Sequence, residues 1–321
     1  MPDSDSPFLT ATFTAMTVEV TIIGSGVRPE EVADAAACGR ALAETWEQEF
    51  SRFRPESTLS RLNAANGEAI PASPAFLAVI TAAQEGVTAS GGRFDPGVLT
   101  ALEAAGYDRT FAAIGADEQD RPAPSHTPQR AGSRWHAVRI DQVAGMVALP
   151  AGMRIDLGGI AKGAFVDALA DLLTAWPGGM VDAGGDLRVW GSAPDGGPWL
   201  IAIEHPGRLG EDLATAEIAD PVRAGGIATS GTNRRRWETA SGTAHHLIDP
   251  ATGLPAAGRG VSATAFAPTC VQAEIATKTL LIGGTAEAAA GLSQLARGLL
   301  LDGDGRVVLD VGLDRAAVRI S

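Results

Sequence analysis

The chain has 321 residues, of which 45% are hydrophobic and 20% are charged, an ordinary balance for a folded protein. Its formal net charge of -13 argues against binding to nucleic acid or to an anionic membrane surface. No window reaches the roughly 20 consecutive apolar residues of a membrane-spanning helix.

Two cysteines so far apart predict neither a disulfide framework nor a zinc site, and we expect Cys38 and Cys270 to be small core residues. Residues 1–10 are expected to be a flexible N-terminus, and residues 11–321 a single domain. The N-terminal residues are acidic and polar, without the basic and apolar regions of a signal peptide or lipoprotein signal. We therefore expect a cytoplasmic location.

The first third of the chain predicts one strand and several helices. Residues 11–23 alternate apolar and polar side chains, as in a strand, whereas residues 29–53 repeat apolar side chains every three or four positions, as in a helix. Ser57 is a plausible N-cap of a short helix that ends at Asn63, and Ser73-Pro74 opens a helix that runs to about Ser90. Asp95, before a proline, predicts an Asx-type turn.

The rest of the chain predicts alternating helices and hairpins. Residues 115–133 lack periodicity and are expected to form a mobile loop. Strands are predicted over 135–140, 146–149 and 262–267, hairpins over 190–204 and 299–310, and a further strand pair from residue 215. Helices are predicted from about residue 163 to 176, over 270–284 and over 286–297.

Residues 156–163 read Asp-Leu-Gly-Gly-Ile-Ala-Lys-Gly, at the predicted entry of a helix. Free main-chain N–H groups at Gly158 and Gly159, the positive end of the helix and Lys162 in its first turn suit an anion such as phosphate. The spacing fits neither a P-loop nor a dinucleotide-binding fingerprint.

A strand leads into Gly184-Gly185-Asp186. The glycines would let a ligand lie against the main chain, and the alternative is a β-bulge or an ordinary turn.

The most polar stretch runs from Thr229-Ser230-Gly231 through three arginines to His246 and Asp249. Hydroxyl groups and glycine N–H groups suit an oxyanion, and Arg234 suits a phosphate. The alternative is two surface loops with a solvated arginine run.

These motifs resemble those of the FAD:protein FMN transferases, the ApbE-type flavin transferases, and they follow one another in the same order as in that family. The family pattern Thr-Ser-Gly … His-x-x-Asp-Pro-x-Thr-Gly falls on residues 229–231 and 246–253. Asp-Leu-Gly-Gly-Ile-Ala-Lys-Gly falls on residues 156–163, and Gly-Gly-Asp on residues 184–186. The resemblance spans roughly residues 16–305.

The resemblance implies an α+β fold of two similar interleaved subdomains, ApbE-like and T-fold-like, with mixed, mostly antiparallel sheets and packed helices. It implies transfer of FMN from FAD, the substrate, to a Ser or Thr hydroxyl of an acceptor protein, with release of AMP. The expected partner is therefore an acceptor protein with a Ser/Thr flavinylation site, and a homodimer is possible.

The resemblance also suggests roles for individual residues. His246 is the candidate base or proton shuttle, and Asp249 orients it or holds its turn. His245 is expected to face solvent. The residues expected to bind the flavin or its phosphates are Lys162, Gly158, Gly159, Gly184, Gly185, Asp186, Thr229, Ser230, Gly231, Arg234 and Phe53.

The family's Mg²⁺ site is altered in this chain. By resemblance, Glu274 stands at a family Asp ligand and Lys278 replaces a family Thr ligand, while Thr277 and Ala161 are further candidates, Thr277 through its carbonyl. An ammonium cannot ligate a metal. Either Lys278 takes the place of the metal as a built-in cation or it turns outward beside a looser metal site.

Two other functions stay open at this stage. One is a flavin-binding protein without transferase activity, which the lysine at position 278 favours. The other is an FAD pyrophosphatase, in which water replaces the acceptor hydroxyl and the products are FMN and AMP.

Overall fold

The computed structural model of the protein describes residues 8–116, 134–208, 210–239, 242–292, 296–313 and 318–320. The helices are α1 (Pro29–Phe50), α2 (Thr58–Ala64), α3 (Pro74–Ala89), α4 (Leu99–Ala104), α5 (Phe111–Ala116), α6 (Ala161–Leu172), α7 (Pro221–Ala224), α8 (Cys270–Gly283) and α9 (Ala286–Leu292). None of them is long and apolar enough to cross a bilayer, as far as the described residues go.

The strands are short, and most belong to antiparallel ladders. They are β1 (Leu9–Ala15), β2 (Val18–Ser25), β3 (Ile70–Pro71), β4 (Arg139–Asp141), β5 (Met146–Ala148), β6 (Gly178–Ala183), β7 (Asp186–Gly191), β8 (Trp199–Glu204), β9 (Asp212–Ile218), β10 (Gly226–Gly231), β11 (Arg236–Thr239), β12 (Gly242–His245), β13 (Ile248–Asp249), β14 (Leu254–Pro255), β15 (Ser262–Ala267), β16 (Arg297–Leu301), β17 (Val307–Val311) and β18 (Val318–Ile320). In the described part of the chain, the main sheet has eight strands in the order β1-β2-β6-β7-β10-β15-β16-β17.

Both faces of the main sheet are covered. Helices α1 and α6 pack beside β1, β2 and β6, whereas α8 packs against β10 and β15. The sheet β18-β9-β8 adds a separate core in which Trp199 and Ile201 meet Ile227 and Phe266 of the main sheet. Because successive side chains of a strand point to opposite faces, Ile227 joins this core while Ala228 joins the core under α8.

Local signals explain where the helices begin. Ser57 and Ser73 accept hydrogen bonds from the main-chain N–H groups three residues later, at 3.0 and 3.1 Å, and so confirm both predicted N-caps. Asp95 accepts a bond from the Gly97 N–H at 2.7 Å, which confirms the predicted Asx turn.

Three local predictions are wrong. Residues 11–23 form a hairpin rather than one strand, because Met16 and Thr17 both adopt positive φ and reverse the chain between β1 and β2. Residues 190–204 were predicted to form a hairpin but do not, since β7 pairs with β6 and β10 whereas β8 pairs with β9. Cys38 is exposed on α1, and of the two cysteines only Cys270 lies in the core.

In two further segments, the predicted strand and the predicted loop differ in part from the structure. Residues 135–137 form a 3₁₀ turn before β4 instead of a strand. The predicted loop over 115–133 overlaps the end of α5 at residues 115–116, and residues 117–133 lie outside the described residues. The mixed α+β architecture with mostly antiparallel sheets is confirmed.

Candidate active site

Helix α8 buries four polar side chains, and three of them, Glu274, Thr277 and Lys278, belong to the candidate site. Glu274, Thr277 and Lys278 are 1%, 0% and 8% exposed. Residues four apart lie on one face of a helix, so Glu274 and Lys278 point in the same direction. Buried polar groups need partners, and those of α8 come from α6, from β10 and from the helix itself.

A carboxylate from α6 fixes the start of α8. Asp167 accepts hydrogen bonds from the main-chain N–H groups of Cys270 and Val271, at 2.9 and 3.0 Å, and pairs with Arg188 at 2.7 Å. Burial raises the pKa of the Asp167 carboxyl, and these three partners oppose the shift. A negative charge at a helix N-terminus is stabilising, so Asp167 sets the position of α8 against α6.

Glu274 and Lys278 form an ion pair within α8. Lys278 Nζ donates to Glu274 Oε1 at 3.2 Å, and Glu274 Oε2 accepts a bond from the Gly163 N–H at 2.9 Å. A Cβ on Gly159 would lie 3.2 Å from Lys278 Cε, which places the lysine stem against the turn that precedes α6. Of the two orientations expected for Lys278, the structure therefore has the inward one.

Helix α6 contributes the second lysine. Lys162, in its first turn, pairs with Asp186 at the start of β7, and the two side chains are 18% and 4% exposed. Burial lowers the pKa of Lys162, while the charge of Glu274 raises it. In the turn before the helix, the Gly158 N–H is bonded to Asp156 Oδ1 at 2.8 Å, so that N–H is engaged within its own turn.

Gly184 and Gly185 form the tight turn between β6 and β7. Their φ angles are +67° and +92°, a region that favours glycine, and the Gly185 N–H donates to Asp182 Oδ1 at 2.8 Å. Burial raises the pKa of Asp182, and the charge of Lys162 lowers it. The turn thus leads from the half-buried Asp182 to Asp186 and its lysine.

The hydroxyl residues of β10 reach the neighbouring elements. Thr229 Oγ1 lies 2.9 Å from Thr264 Oγ1 on β15, and Ser230 Oγ lies 2.8 Å from Thr277 Oγ1 on α8. Gly231 ends the strand beside Asn233. Ser230 is therefore brought next to the buried polar face of α8.

The arginines that follow β10 face different surroundings. The Arg234 side chain is 60% exposed and pairs with Glu204, whereas the charge of Arg235 lowers the pKa values of Lys162 and His246. Arg235 adopts a positive φ of 48° and makes no ion pair with a carboxylate of the described residues. The prediction that Arg234 binds phosphate stays a prediction, but Arg235 has the closer link to the site.

His246 is partly exposed, yet its Nδ1 atom is enclosed and has no hydrogen-bond partner in the described part of the chain. Burial lowers its pKa to about 3, and the positive charges of Arg235, His245 and Lys278 act in the same direction. The imidazole is therefore neutral at ordinary pH, with one ring nitrogen left for a group from outside the chain.

The other two polar residues of this segment have local roles. Asp249 Oδ1 accepts a bond from the Ala251 N–H at 2.9 Å, in agreement with the expectation that it holds its turn. His245 was predicted to face solvent, but both of its ring nitrogens have partners in the chain. Nε2 lies 3.1 Å from the Ala256 carbonyl oxygen, and Nδ1 accepts a hydrogen bond from the Leu247 N–H.

An arginine that was not singled out in the sequence links Phe53 to a group of aromatic rings. The Arg52 guanidinium lies 4.2 Å from the ring centre of Phe53 and 4.6 Å from that of Tyr107. Tyr107 in turn lies 5.5 Å from Trp237. Phe53 is 38% exposed, so its ring has an open side.

The residues expected to hold a divalent metal do not fit one. Both Glu274 oxygens are engaged, one of them by the Lys278 ammonium. The Ala161 carbonyl accepts the Trp46 indole N–H at 2.8 Å, and the Thr277 carbonyl, the atom expected to ligate, lies in the interior of α8. No group of three or more His, Cys, Asp or Glu side chains suited to a metal occurs in the ranges that the structure describes.

The site thus joins two helices and two strands. Contacts connect Gly159, Lys162, Asp186, Ser230, Thr277, Glu274 and Lys278, and electrostatic interactions add Arg235 and His246. Sequence reasoning missed Arg235 and Asp167. Nothing in a run of three arginines indicates which one faces inward, and an aspartate in the middle of α6 gives no hint of the helix that it caps.

Comparisons with known proteins agree with this architecture. A model of the ApbE family matches residues 14–300. The FAD:protein FMN transferase of Treponema pallidum is 30% identical over 256 residues, which are 75% of this chain and 69% of that protein. The corresponding protein of Salmonella typhimurium is 30% identical over 247 residues, 74% of this chain and 68% of that protein.

Solved structures show the same fold. The ApbE protein of Thermotoga maritima superposes with a TM-score of 0.79 at 23% identity, over 94% of this chain and 96% of that one. The flavin transferase ApbE of Vibrio cholerae gives a TM-score of 0.70 at 23% identity, over 93% and 96%. Since the family model covers most of its length, the chain belongs to the ApbE family.

Proposed function

We propose that this protein is an FAD:protein FMN transferase, which moves FMN from FAD to a Ser or Thr hydroxyl of an acceptor protein and releases AMP. Relatives with 30% identity carry that name. The observation that carries the proposal is the enclosed, unpartnered Nδ1 of a neutral His246, beside a group of cations in the described part of the chain.

The cations suit the diphosphate of FAD. Lys162 and Lys278 are each compensated by one carboxylate, Asp186 and Glu274, whereas Arg235 pairs with no carboxylate of the described residues. Phosphoryl transfer depends mainly on positioning and on neutralisation of the phosphate charge. An additional positive charge next to two compensated lysines favours an anionic ligand.

The reaction needs a proton acceptor. The acceptor hydroxyl gives its proton to His246 while its oxygen attacks the FMN phosphorus, and the bond from that phosphorus to the AMP phosphate breaks. Without substrate, burial lowers the pKa of His246, and the charges of Arg235 and Lys278 lower it further. Bound phosphates would offset these charges and make the imidazole a stronger base at the point where one is needed.

The remaining candidates position the substrate. We assign Thr229, Ser230 and Gly231 to the phosphates, since Ser230 already contacts α8. Phe53 offers an open ring face for the flavin, and the turn held by Asp249 carries the segment that follows His246. No step is assigned to a metal.

The test is to incubate the protein with FAD and an acceptor domain that carries a Ser or Thr flavinylation site. AMP release is followed by chromatography, and labelling of the acceptor by in-gel flavin fluorescence. Labelled acceptor with one AMP per FMN supports the proposal. Free FMN and AMP without labelling would indicate a pyrophosphatase, and bound FAD without AMP a flavin-binding protein.

His246→Asn tests the role of the imidazole. Loss of a general base lowers the rate by on the order of 10²–10⁴-fold, and FAD binding should change far less. His136→Asn is the matched control, because His136 is exposed in the 3₁₀ turn before β4. A His246→Asn variant that labels the acceptor at the unmodified rate would contradict the assignment.

Three finer points stay predictions. A Ser or Thr as the attacked residue is tested by replacing that residue of the acceptor with Ala. The possible homodimer is tested by light scattering of the purified protein, and the cytoplasmic location by cell fractionation.

A further inference from the structure

We propose that Lys278 and Arg235 together do the work of a divalent metal ion in this protein, so that FAD binds and reacts without Mg²⁺. The inference rests on the proposed function, since it concerns how the same site holds the diphosphate of FAD. It identifies this chain as a metal-independent member of its family.

The first observation is the fixed position of the Lys278 ammonium. It is bonded to Glu274 Oε1 at 3.2 Å, and the other oxygen of that carboxylate is held by the Gly163 N–H at 2.9 Å. The lysine stem lies against Gly159, and the residue is 8% exposed. The ammonium therefore sits on the carboxylate that a metal would use, next to the predicted phosphate-binding turn.

The second observation is the placement of Arg235. Its neighbour Arg234 is ion-paired and largely exposed. Arg235 directly precedes the β11–β12 pair of Arg236 with His245, which places it beside His246, and its charge also acts on Lys162. It has no ion pair with a carboxylate among the described residues, and it is partly buried. A guanidinium with five N–H donors in this place suits phosphate oxygens.

The third observation is the charge balance. A divalent ion held by one carboxylate has a net charge of +1. Glu274, Lys278 and Arg235 together have the same net charge, and it comes from groups that cannot be lost to a chelator. The Ala161 carbonyl, which was expected to ligate the metal, accepts the Trp46 indole N–H. A second cation beside the ammonium would also be repelled by it.

The first experiment measures the Kd of FAD by fluorescence, in excess EDTA and in excess MgCl₂. We expect the two values to agree within about twofold, a difference of less than about 0.5 kcal/mol. In addition, EPR of the FAD complex titrated with Mn²⁺ should show no stoichiometric bound ion. A Kd tightened by on the order of tenfold or more by MgCl₂, or one Mn²⁺ per protein, would overturn the proposal.

Variants test the two cations separately. Arg235→Gln should weaken FAD binding in EDTA by on the order of tenfold, the loss of one charge-assisted contact. Glu274→Gln/Lys278→Met removes the ammonium without leaving a charged carboxylate unpaired, and it should weaken binding similarly through the loss of the ammonium contact. Arg28→Gln is the control, since the Arg28 side chain is 69% exposed and pairs with Glu30 and Glu31 at the start of α1. Variants that melt normally and bind FAD as tightly as the unmodified protein would refute the idea.

Lys278→Thr is designed to make FAD binding depend on a metal ion. It replaces the ammonium by a hydroxyl oxygen and frees Glu274 for a metal. FAD binding should then be weak in EDTA and be restored by MgCl₂, and failure of MgCl₂ to restore it in the folded variant would contradict the proposed equivalence.

Acceptor labelling keeps this inference distinct from the proposed function. A protein that binds FAD equally well with and without Mg²⁺ but never labels an acceptor supports the cation pair and overturns the transferase. Labelling of the acceptor that requires Mg²⁺ supports the transferase and overturns the proposal that the two cations replace the metal.

Discussion

Two buried lysine–carboxylate pairs lie in the candidate active site, and they are built in different ways. Lys162 of α6 reaches across to Asp186 of β7, whereas Lys278 and Glu274 lie one turn apart on α8. The burial of the two pairs is similar, since their side chains are at most 18% exposed. The first pair therefore joins a helix to the sheet, and the second is largely fixed by the geometry of one helix.

The difference predicts that the two cations contribute unequally to the stability of the fold. Lys162–Asp186 forms only when α6 and β7 meet, so its loss should be felt in folding. Glu274 keeps the Gly163 N–H as a partner when Lys278 is removed. For the second pair we therefore expect a smaller effect on stability and a larger one on the ligand.

The largest effect on stability is expected for Lys162→Met. It leaves the Asp186 side chain, which is 4% exposed, without its cation, and breaking a buried pair from one side costs about 3–5 kcal/mol. The free energy of unfolding, measured in urea, should fall by that order. The double variant Lys162→Met/Asp186→Asn should recover most of the loss. If Lys162→Met lowered the free energy of unfolding less than Lys278→Met, the Lys162–Asp186 pair would not be the more important one for stability.

A smaller effect on stability is expected at Gly163, which lies next to both pairs. Gly163 follows Lys162 and donates to Glu274, and a Cβ there would lie 2.7 Å from Glu274 Oε2 and 3.1 Å from the Cys270 carbonyl. Gly163→Ala should force α6 and α8 apart and lower the free energy of unfolding by about 1–3 kcal/mol.

The control for this change is Gly258→Ala, because the nearest atom to a Cβ at that exposed position lies 3.5 Å away. FAD affinity should fall along with stability in Gly163→Ala, since the added methyl displaces Glu274. Unchanged stability and affinity would mean that the two helices have more freedom than their contact indicates.

The sequence predicts the local elements better than the partners of its strands. Caps such as Ser57 and Ser73 depend on residues three positions apart, and the motifs at residues 156–163 and 246–253 are contiguous. By contrast, β8 pairs with β9 instead of β7, because the core around Trp199 stabilises a separate sheet. Nothing in residues 190–204 alone reports that core.

The candidate site shows the same limit. The i,i+4 spacing places Glu274 and Lys278 on one helix face, but their inward orientation depends on Gly163 and on Gly159, more than a hundred residues away. The choice between Arg234 and Arg235 depends on Glu204 of β8, which takes the first arginine away from the site. Such choices are made by tertiary contacts, so spacing cannot predict them.

The smallest expected effect is the share of Lys278 in the pH dependence of stability, and it distinguishes the two lysines again. Burial lowers the pKa of His246 to about 3. In the unfolded chain it is about 6.5. Between these values the unfolded state binds a proton that the folded state does not, so this contribution to stability is complete above about pH 6.5 and decreases as the pH falls.

The measurement compares the free energy of unfolding of the protein with that of His246→Gln from about pH 7 to about pH 4. The variant lacks the titration, so any advantage of the unmodified protein should shrink as the pH falls. Lys278 contributes to the lowered pKa of His246, and Lys162 is not among its causes. The decrease should therefore be shallower in Glu274→Gln/Lys278→Met and unchanged in Lys162→Met/Asp186→Asn. A difference that stays constant over this range would mean that His246 titrates alike in both states. Equal changes in the two double variants would mean that the two lysines act on the imidazole in the same way.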